Sequence, residues 1–195
     1  MAATKVVGHV INCEEFRVAI LKDETAKTYD MPMVEKLMSI KVDTDTSTES
    51  LSGDGSPTDL QTGTGKTTIE AEVNKIGIEN QAKILGHRFD ATTGAIVYGK
   101  DDVVPYVACG FKYRKSNGSY QYVWYYKGKF EEISDDVKQI EDGKVSFSTP
   151  KIKGTFIYRS DGSKGAKWDE DAGTVPAKIL EKVTEPPDKP ATPGV

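Results

Sequence analysis

Apolar and polar residues alternate along two stretches of the chain, Leu37–Thr44 and Thr67–Ile76. The apolar members are Met38, Ile40 and Val42 in the first stretch and Ile69, Ala71 and Val73 in the second. A repeat of two residues is the period of a β-strand that is buried on one side only. The pattern therefore predicts two amphipathic strands, and a third, shorter strand is predicted over Arg17–Leu21.

A helical spacing follows the second of these strands. Its apolar residues are separated by four and then three positions: Ile78, Ala82 and Leu85. This spacing places them on one face of a helix, and the next residue, Gly86, is of the type that most often ends a helix in the left-handed conformation. We therefore predict a short helix over 77–85, and a second helix over 177–182.

The clearest local signal is a hairpin over Val104–Tyr126, in which Asn117-Gly118 separates two alternating runs. Asn-Gly in this position is typical of a two-residue hairpin turn. The cross-strand pairs that such a turn predicts are Tyr113 with Tyr122, Phe111 with Trp124, and Cys109 with Tyr126. Nine aromatic residues lie between Tyr106 and Phe130, so this hairpin is predicted to be the centre of the core.

The aromatic residues leave one alternative open. If the face that carries Tyr122 and Trp124 were exposed, it would form a stacking platform for sugars or single-stranded bases. The chain would then be a monomeric β-sandwich module that binds carbohydrate or acts in adhesion.

A polar segment, 43–66, connects the two amphipathic strands and consists almost entirely of Ser, Thr, Gly and Asp. Its only large apolar residues are Leu51 and Leu60. Its charge is −4, equal to that of the whole chain, because five carboxylates stand against one lysine: Asp43, Asp45, Glu49, Asp54, Asp59 and Lys66. A structureless connection of this length is unusual inside a domain. Since strands of matching pattern flank it, we predict a long arm at the end of a β-hairpin.

Two further strands are predicted over 145–148 and 153–159, on either side of Pro150. The end of the chain, Thr184–Val195, is rich in proline, which is typical of an extended tail that packs no core. We therefore expect one mainly β domain over 1–183 and a flexible tail over 184–195.

Composition narrows the classes of function. The chain has 195 residues with 26 basic and 30 acidic side chains, and 37% of its residues are hydrophobic, which suits one domain with a small core. No stretch approaches the ~18–20 apolar residues of a membrane span, and the N-terminus lacks the pattern of a signal peptide. Two cysteines are expected to remain free thiols in a reducing cytoplasm. The acidic balance argues against tight binding of nucleic acid, which needs clustered Lys and Arg.

Two short motifs resemble binding sites but depart from them at decisive positions. Gly65-Lys66-Thr67 matches the end of a phosphate-binding loop, but Leu60 stands where its first glycine belongs. The acidic run from Asp43 begins like a calcium loop, but Thr48 occupies the position of the invariant glycine. The histidines and cysteines lack the spacing of metal ligands. We therefore expect no catalytic residue, no cofactor, no metal and no enzymatic activity.

Eight segments between about residues 16 and 183 occur in an order that is informative as a whole. They are Ser39-Ile-Lys-Val-Asp43, Ser47-Thr-Glu49, Gly53-Asp-Gly55, Ile69-Glu-Ala-Glu-Val-Asn-Lys75, Lys83-Ile-Leu-Gly-His87, Tyr106-Val-Ala-Cys-Gly-Phe111, Asn117-Gly-Ser-Tyr-Gln-Tyr-Val-Trp-Tyr-Tyr-Lys-Gly-Lys-Phe130 and Phe147-Ser-Thr-Pro-Lys-Ile-Lys-Gly-Thr-Phe156. In this order they resemble the major tail (tail-tube) proteins of long non-contractile-tailed bacteriophages, especially those of Gram-positive hosts. The Pro-rich tail has no counterpart in this resemblance.

The resemblance implies a β-sandwich with a flanking helix that assembles into hexameric rings. The rings would stack into a tube through which genomic DNA passes. The implied partners are other copies of this chain and other tail proteins such as the tape measure and tail terminator, with DNA only as transient, non-specific cargo. The protein would be made in the bacterial cytoplasm and end up in the virion tail, away from any membrane.

Two groups of residues would carry this function. The arm would contact a neighbouring subunit or ring through Asp45, Ser47, Thr48, Glu49, Leu51, Asp54 and Leu60. The polar face of the hairpin would line the channel through Ser39, Lys41, Thr68, Glu70 and Glu72. Because DNA must slide, the channel wall is expected to repel phosphate rather than bind it.

Overall fold

A computed structural model describes residues 7–53, 56–133 and 147–187, which form eleven strands and one helix. In chain order these are β1 (Val10–Asp23), β2 (Thr28–Tyr29), β3 (Met33–Glu35), β4 (Leu37–Gly53), β5 (Ser56–Val73), α1 (Ile78–Leu85), β6 (Arg88–Asp90), β7 (Ala95–Val97), β8 (Val107–Lys115), β9 (Tyr120–Phe130), β10 (Lys151–Phe156) and β11 (Gly165–Asp169). The mainly β fold that the sequence predicts is confirmed, and so is the short helix predicted over 77–85.

Nine of the strands form one antiparallel sheet with the order β2-β1-β8-β9-β10-β5-β4, in which β3 also pairs with β1 and β11 with β9. The sheet curls over on itself, since β1 and β4 lie far apart in this order but come together in space. The Cys13 Sγ on β1 lies 3.6 Å from the carbonyl oxygen of Met38 on β4. The result is a sandwich-like fold, and β6 and β7 form a separate two-stranded hairpin.

The concave side of the curled sheet encloses the main core. Phe16 on β1, Phe111 on β8 and Ile69 on β5 are almost completely buried in one cluster, although their strands belong to different halves of the sheet. Helix α1 adds Ile84 and Leu85 to the same cluster. The apolar side chains of Ile40 and Val42 on β4 and of Ile69, Ala71 and Val73 on β5 therefore point inward, as their period of two requires. Met38 is 54% exposed, so its predicted place on the buried side is wrong, because the β4–β5 register shifts between Leu37 and Ser39.

The convex side of the β8–β9 hairpin is covered by residues 174–187, which we call the C-terminal segment. Trp124 and Tyr126 are fully buried there against Ile179 and Leu180. The indole Nε1 of Trp124 donates a hydrogen bond to the carbonyl oxygen of Ile179 at 2.9 Å. Both faces of this hairpin are thus buried, which confirms the prediction that it is the centre of the core.

The register predicted for this hairpin is wrong by one residue. The backbone N–H of Gly118 bonds to the carbonyl oxygen of Lys115, and the N–H of Lys115 bonds to the oxygen of Ser119, so the loop has three residues. Gly118 alone has a positive φ, 85°, whereas a two-residue type I′ turn needs a positive φ at both central residues. The observed pairs include Gly110 with Trp124.

Three other expectations need correction. The predicted helix over 177–182 is a series of turns with Lys178 at φ 61°, because this stretch must present its backbone oxygen to Trp124. The predicted strand over 145–148 lies partly outside the described residues, and Phe147 is outside any strand and 89% exposed. Strand β10 spans 151–156, since the chain turns away at 157–159 to place Arg159 in a buried ion-pair cluster.

Lys115 occupies a second buried cluster, at the end of β8. Its ammonium group lies 2.5 Å from Asp169 Oδ1 and 2.9 Å from Asp171 Oδ2. Asp171 also accepts hydrogen bonds from the backbone N–H of Gly8 and the side-chain amide of Asn117. Hydrogen bonds from Lys115 hold the pKa values of both carboxyl groups below their usual range. The cluster therefore connects Gly8, the hairpin loop and the end of β11 to one another.

Acid should loosen this cluster. Because the folded state lowers the pKa of Asp169 and Asp171 from the ordinary value of 3.8, its stabilisation is complete above that value and is lost as pH falls through the folded pKa. We expect the Tm measured by calorimetry to fall as pH is lowered from about 5 to about 2. Asp171→Asn should be less stable at neutral pH and should show a flatter profile. Parallel profiles for the two proteins would contradict this account.

Candidate functional site: the arm and the polar face of the sheet

The polar segment that the sequence predicts to be an arm is a two-stranded antiparallel ribbon. Strands β4 and β5 remain paired from Leu37 opposite Val73 to Gly53 opposite Ser56. The side chains of 43–50 and 60–66 are exposed, so this part of the ribbon contributes nothing to the core. The long β-hairpin arm is therefore confirmed as a feature of the fold.

The predicted arm residues lie along both strands of this ribbon. Exposed side chains are those of Asp45, Ser47, Thr48, Glu49 and Leu60. Leu60 is 66% exposed, an unusual position for a large apolar side chain in a polar segment. The backbone of Leu51 pairs with that of Asp59. Asp54 lies outside the described residues.

Cross-strand threonine pairs hold the ribbon together. The hydroxyl groups of Thr44 and Thr67 share a hydrogen bond of 2.9 Å, and those of Thr48 and Thr62 share one of 3.2 Å. Such pairs contribute roughly 0.2–1 kcal/mol each relative to alanine pairs. Threonine also favours extended backbone because its Cβ is branched. The Ser/Thr composition of the segment therefore supports the strand pair that the flanking alternation predicts.

Two contacts connect the base of the arm to the loop that precedes β11. The hydroxyl group of Thr64 and the phenol of Tyr158 share a hydrogen bond of 2.7 Å. The ammonium group of Lys164 donates to the carbonyl oxygen of Gly65 at 3.0 Å. The sequence gives no signal for these contacts, because Tyr158 and Lys164 are almost a hundred positions away from the arm.

The five predicted channel residues share one face of the sheet. The register pairs Ser39 with Glu72, Lys41 with Glu70 and Asp43 with Thr68, so their side chains point to the same side. This side is opposite to the one that carries the buried Ile69, Ala71 and Val73. The sequence-based grouping of Ser39, Lys41, Thr68, Glu70 and Glu72 therefore agrees with the geometry.

Two lysines that were not predicted from the sequence lie on the same face. Strand β10 pairs with β5 so that Lys151 lies opposite Glu72 and Lys153 opposite Glu70. These lysines line a shallow cleft of about 500 Å³ together with four of the predicted residues, Ser39, Lys41, Glu70 and Glu72. The cleft therefore carries mixed charge, three lysines beside the four carboxylates of Glu70, Glu72, Glu131 and Glu132. Polar residues alternate with apolar or small ones over 151–155. This alternation is the sequence signal that predicts both lysines on one face of a strand.

Hydrogen bonds hold Glu72 in its ionised form at the centre of this face. The hydroxyl groups of Thr149 and Ser39 donate to its two carboxylate oxygens, and the Thr149 bond is the main cause of a lowered pKa. On the next strand Lys41 forms an ion pair of 2.6 Å with Asp43. Lys153 lies 3.7 Å from Glu131 at the edge of the same cleft. Charges of both signs are thus interspersed on the face, which therefore presents a weak net field to an approaching polyanion.

The candidate catalytic and ligand-binding motifs have different surroundings from those that their chemistry needs. Gly65-Lys66-Thr67 lies inside β5, so a strand follows the lysine where a phosphate-binding loop needs a helix. Among the described residues, none of the His, Cys, Asp and Glu side chains are grouped so as to hold a metal ion. Trp124 is completely buried, so it offers no stacking surface to a sugar or base.

The described part of the chain includes no helix that is long and apolar enough to cross a membrane.

Comparisons with known proteins add no identification. No protein-family model matches the sequence, and the search of curated proteins found no match.

Proposed function

We propose that this chain is a structural protein that assembles with copies of itself into stacked hexameric rings, which form the tail tube of a long non-contractile-tailed bacteriophage. The tube would be the conduit for DNA ejection, and other tail proteins such as the tape measure and tail terminator would bind its ends. The proposal joins the sequence resemblance to the geometry of the arm and the polar face.

The observation that carries the proposal is the exposed arm. A solvated two-stranded ribbon is only marginally stable on its own, and a domain gains nothing from extending it beyond the core. The described residues of the ribbon, 43–53 and 56–66, present outer backbone edges that no other strand pairs with, and such edges pair readily with another chain. The exposed Leu60 gives it one apolar contact residue. These properties fit a segment that is buried when subunits assemble.

The polar face supports the second part of the proposal, a passive channel wall. Glu70 and Glu72 lie opposite Lys153 and Lys151, and the cleft as a whole is lined by three lysines and four glutamates, so most of its charge cancels at a distance. A DNA-binding surface needs several lysine or arginine side chains that are free to neutralise phosphates. We infer that the face lets DNA pass because its lysines are paired with carboxylates, which refines the acidic repulsion expected from sequence.

Removing the arm should abolish assembly without unfolding the protein. Thr46 and Thr64 are paired, so an Asn-Gly turn can replace 47–63 and join them directly. We expect the full chain to form tubes in a concentration-dependent way under negative-stain electron microscopy. The shortened chain should remain monomeric in sedimentation velocity and keep its Tm, since the excised side chains that can be described are exposed.

The control shortens a different exposed hairpin in the same way. In β6–β7, Asp90 pairs with Ala95, so an Asn-Gly turn can replace 91–94. This variant should assemble like the unmodified chain. Tubes formed by the chain that lacks 47–63 would overturn the proposal, and so would a full chain that stays monomeric at every concentration tested.

A further inference from the structure

We propose that Tyr158 and Lys164 form a brace that sets the direction of the arm before assembly. The proposal rests on the assembly role proposed for the arm and adds the residues that position it. The brace lies on the loop between β10 and β11, whereas the arm belongs to β4 and β5. The contacts of the brace therefore connect the arm to the body of the domain outside the hydrophobic core.

The brace acts on two successive residues of the arm. Tyr158 shares a hydrogen bond of 2.7 Å with the Thr64 side chain, and Lys164 donates to the Gly65 backbone oxygen at 3.0 Å. The Lys164 ammonium group also lies 4.8 Å from the centre of the Tyr158 ring. This position is typical of a cation–π contact. The two brace residues thus support each other as well as the arm.

The arm has a pivot at the place where the brace holds it. The β4–β5 register shifts between Thr44 and Thr46, so that Asp45 opposes both Gly65 and Lys66. One residue opposite two is a β-bulge, which bends a strand and increases its twist. The bulge also contains a glycine, which restricts the backbone least. A ribbon that bends at a bulge needs an outside contact to keep one direction.

The loop that carries the brace is itself firmly attached. Arg159 follows Tyr158 directly, and its guanidinium group is 1% exposed. It makes two hydrogen bonds to Glu185 of the C-terminal segment, at 2.6 and 2.8 Å, and one to Asp161 at 3.0 Å. It also lies 4.3 Å from the centre of the Tyr126 ring. The brace therefore holds the arm in a fixed position relative to the body and to the C-terminal segment.

A preset direction reduces the cost of assembly. An arm that samples many directions must lose that freedom when it binds a neighbour, and the loss weakens association. Two exposed hydrogen bonds are individually weak. They act close to the pivot, however, and a small change of angle there displaces the distant part of the arm by a large amount. We therefore expect the brace to change the concentration at which subunits assemble, with little effect on the stability of the body.

The test measures arm direction and assembly separately in the full-length protein. Spin labels at Ser47→Cys on the arm and Lys100→Cys on the body report their distance by pulsed EPR in dilute monomer. Cys13→Ser removes a half-buried native thiol, while the fully buried Cys109 stays. Tyr158→Phe combined with Lys164→Met should broaden the distance distribution and raise the critical concentration about three- to tenfold. Its Tm should stay that of the parent protein.

Matched substitutions away from the arm serve as controls. Tyr98→Phe with Lys167→Met makes the same chemical changes at an exposed tyrosine and an exposed lysine, and it should change neither measurement. Lys164→Arg with Tyr158 intact keeps the donor and the cation–π contact, and it should restore a narrow distribution. An unchanged distribution in the Tyr158→Phe, Lys164→Met protein would overturn the brace. Tube formation by a chain that lacks 47–63 would instead overturn the assembly role and leave the distance measurement valid.

Discussion

Replacing Arg159 with methionine should lower the free energy of unfolding by about 3 kcal/mol, since removing one partner of a buried ion pair costs roughly 3–5 kcal/mol. The lower end applies because the carboxylates of Asp161 and Glu185 are 32% and 29% exposed, so water can rehydrate them in part. A protein of this size loses roughly 2–4 °C of Tm per kcal/mol, which predicts a fall of about 6–12 °C in calorimetry. The C-terminal segment should also detach more readily, because Glu185 loses its anchor.

Three further variants distinguish the loss of the ion-pair cluster from the general effect of replacing an arginine. Arg114→Met removes an exposed arginine and should change Tm by little. Glu185→Gln in the Arg159→Met background should recover part of the loss, since an unpaired carboxylate is then gone. The Tm of Arg159→Lys should lie between those of the parent protein and of Arg159→Met. Lysine keeps the positive charge, but its ammonium group cannot reproduce the two parallel bonds to Glu185. An Arg159→Met protein with the parent Tm would mean that the cluster contributes nothing to stability.

Local patterns predicted the strands well because their causes are local. The alternation over 37–44 and 67–76 follows from a sheet that is buried on one side, and β4 and β5 include most of those residues. The helix over 78–85 follows from apolar spacing and from Gly86, which adopts the left-handed conformation at φ 78°. The common face of the channel residues follows from the same period of two.

Contacts between distant parts of the chain left no such pattern. Tyr158 and Lys164 act through partners that the fold alone brings near, and so does Arg159 in its bonds to Glu185. The helix expected over 177–182 is absent from the described structure, because burial of Ile179 and Leu180 and the bond to Trp124 outweigh a weak helical preference. The hairpin register depended on whether Asn117 has a positive φ, and the dipeptide Asn-Gly is compatible with both loop lengths.

That one-residue difference in register has a measurable consequence at Gly110. In the predicted register Trp124 would face Phe111, whereas in the structure it faces Gly110. A Cβ atom at Gly110 would lie 2.7 Å from the Trp124 ring, closer than carbon atoms can approach. The indole therefore occupies the space that a side chain at this position would need, and glycine is the residue that leaves it free.

The effect of Gly110→Ala should reverse its sign when Trp124 is removed. Trp124→Ala alone should cost about 3–5 kcal/mol, because it empties a fully buried site and removes the bond to Ile179. Gly110→Ala alone should cost about 1–3 kcal/mol through overpacking. In the Trp124→Ala background the same methyl group fills vacated space and reduces unfolded-chain entropy, so it should stabilise the protein by about 0.5–1 kcal/mol. Urea unfolding of the four proteins gives the coupling energy. Additive effects would contradict the observed register, in which Gly110 and Trp124 are neighbours.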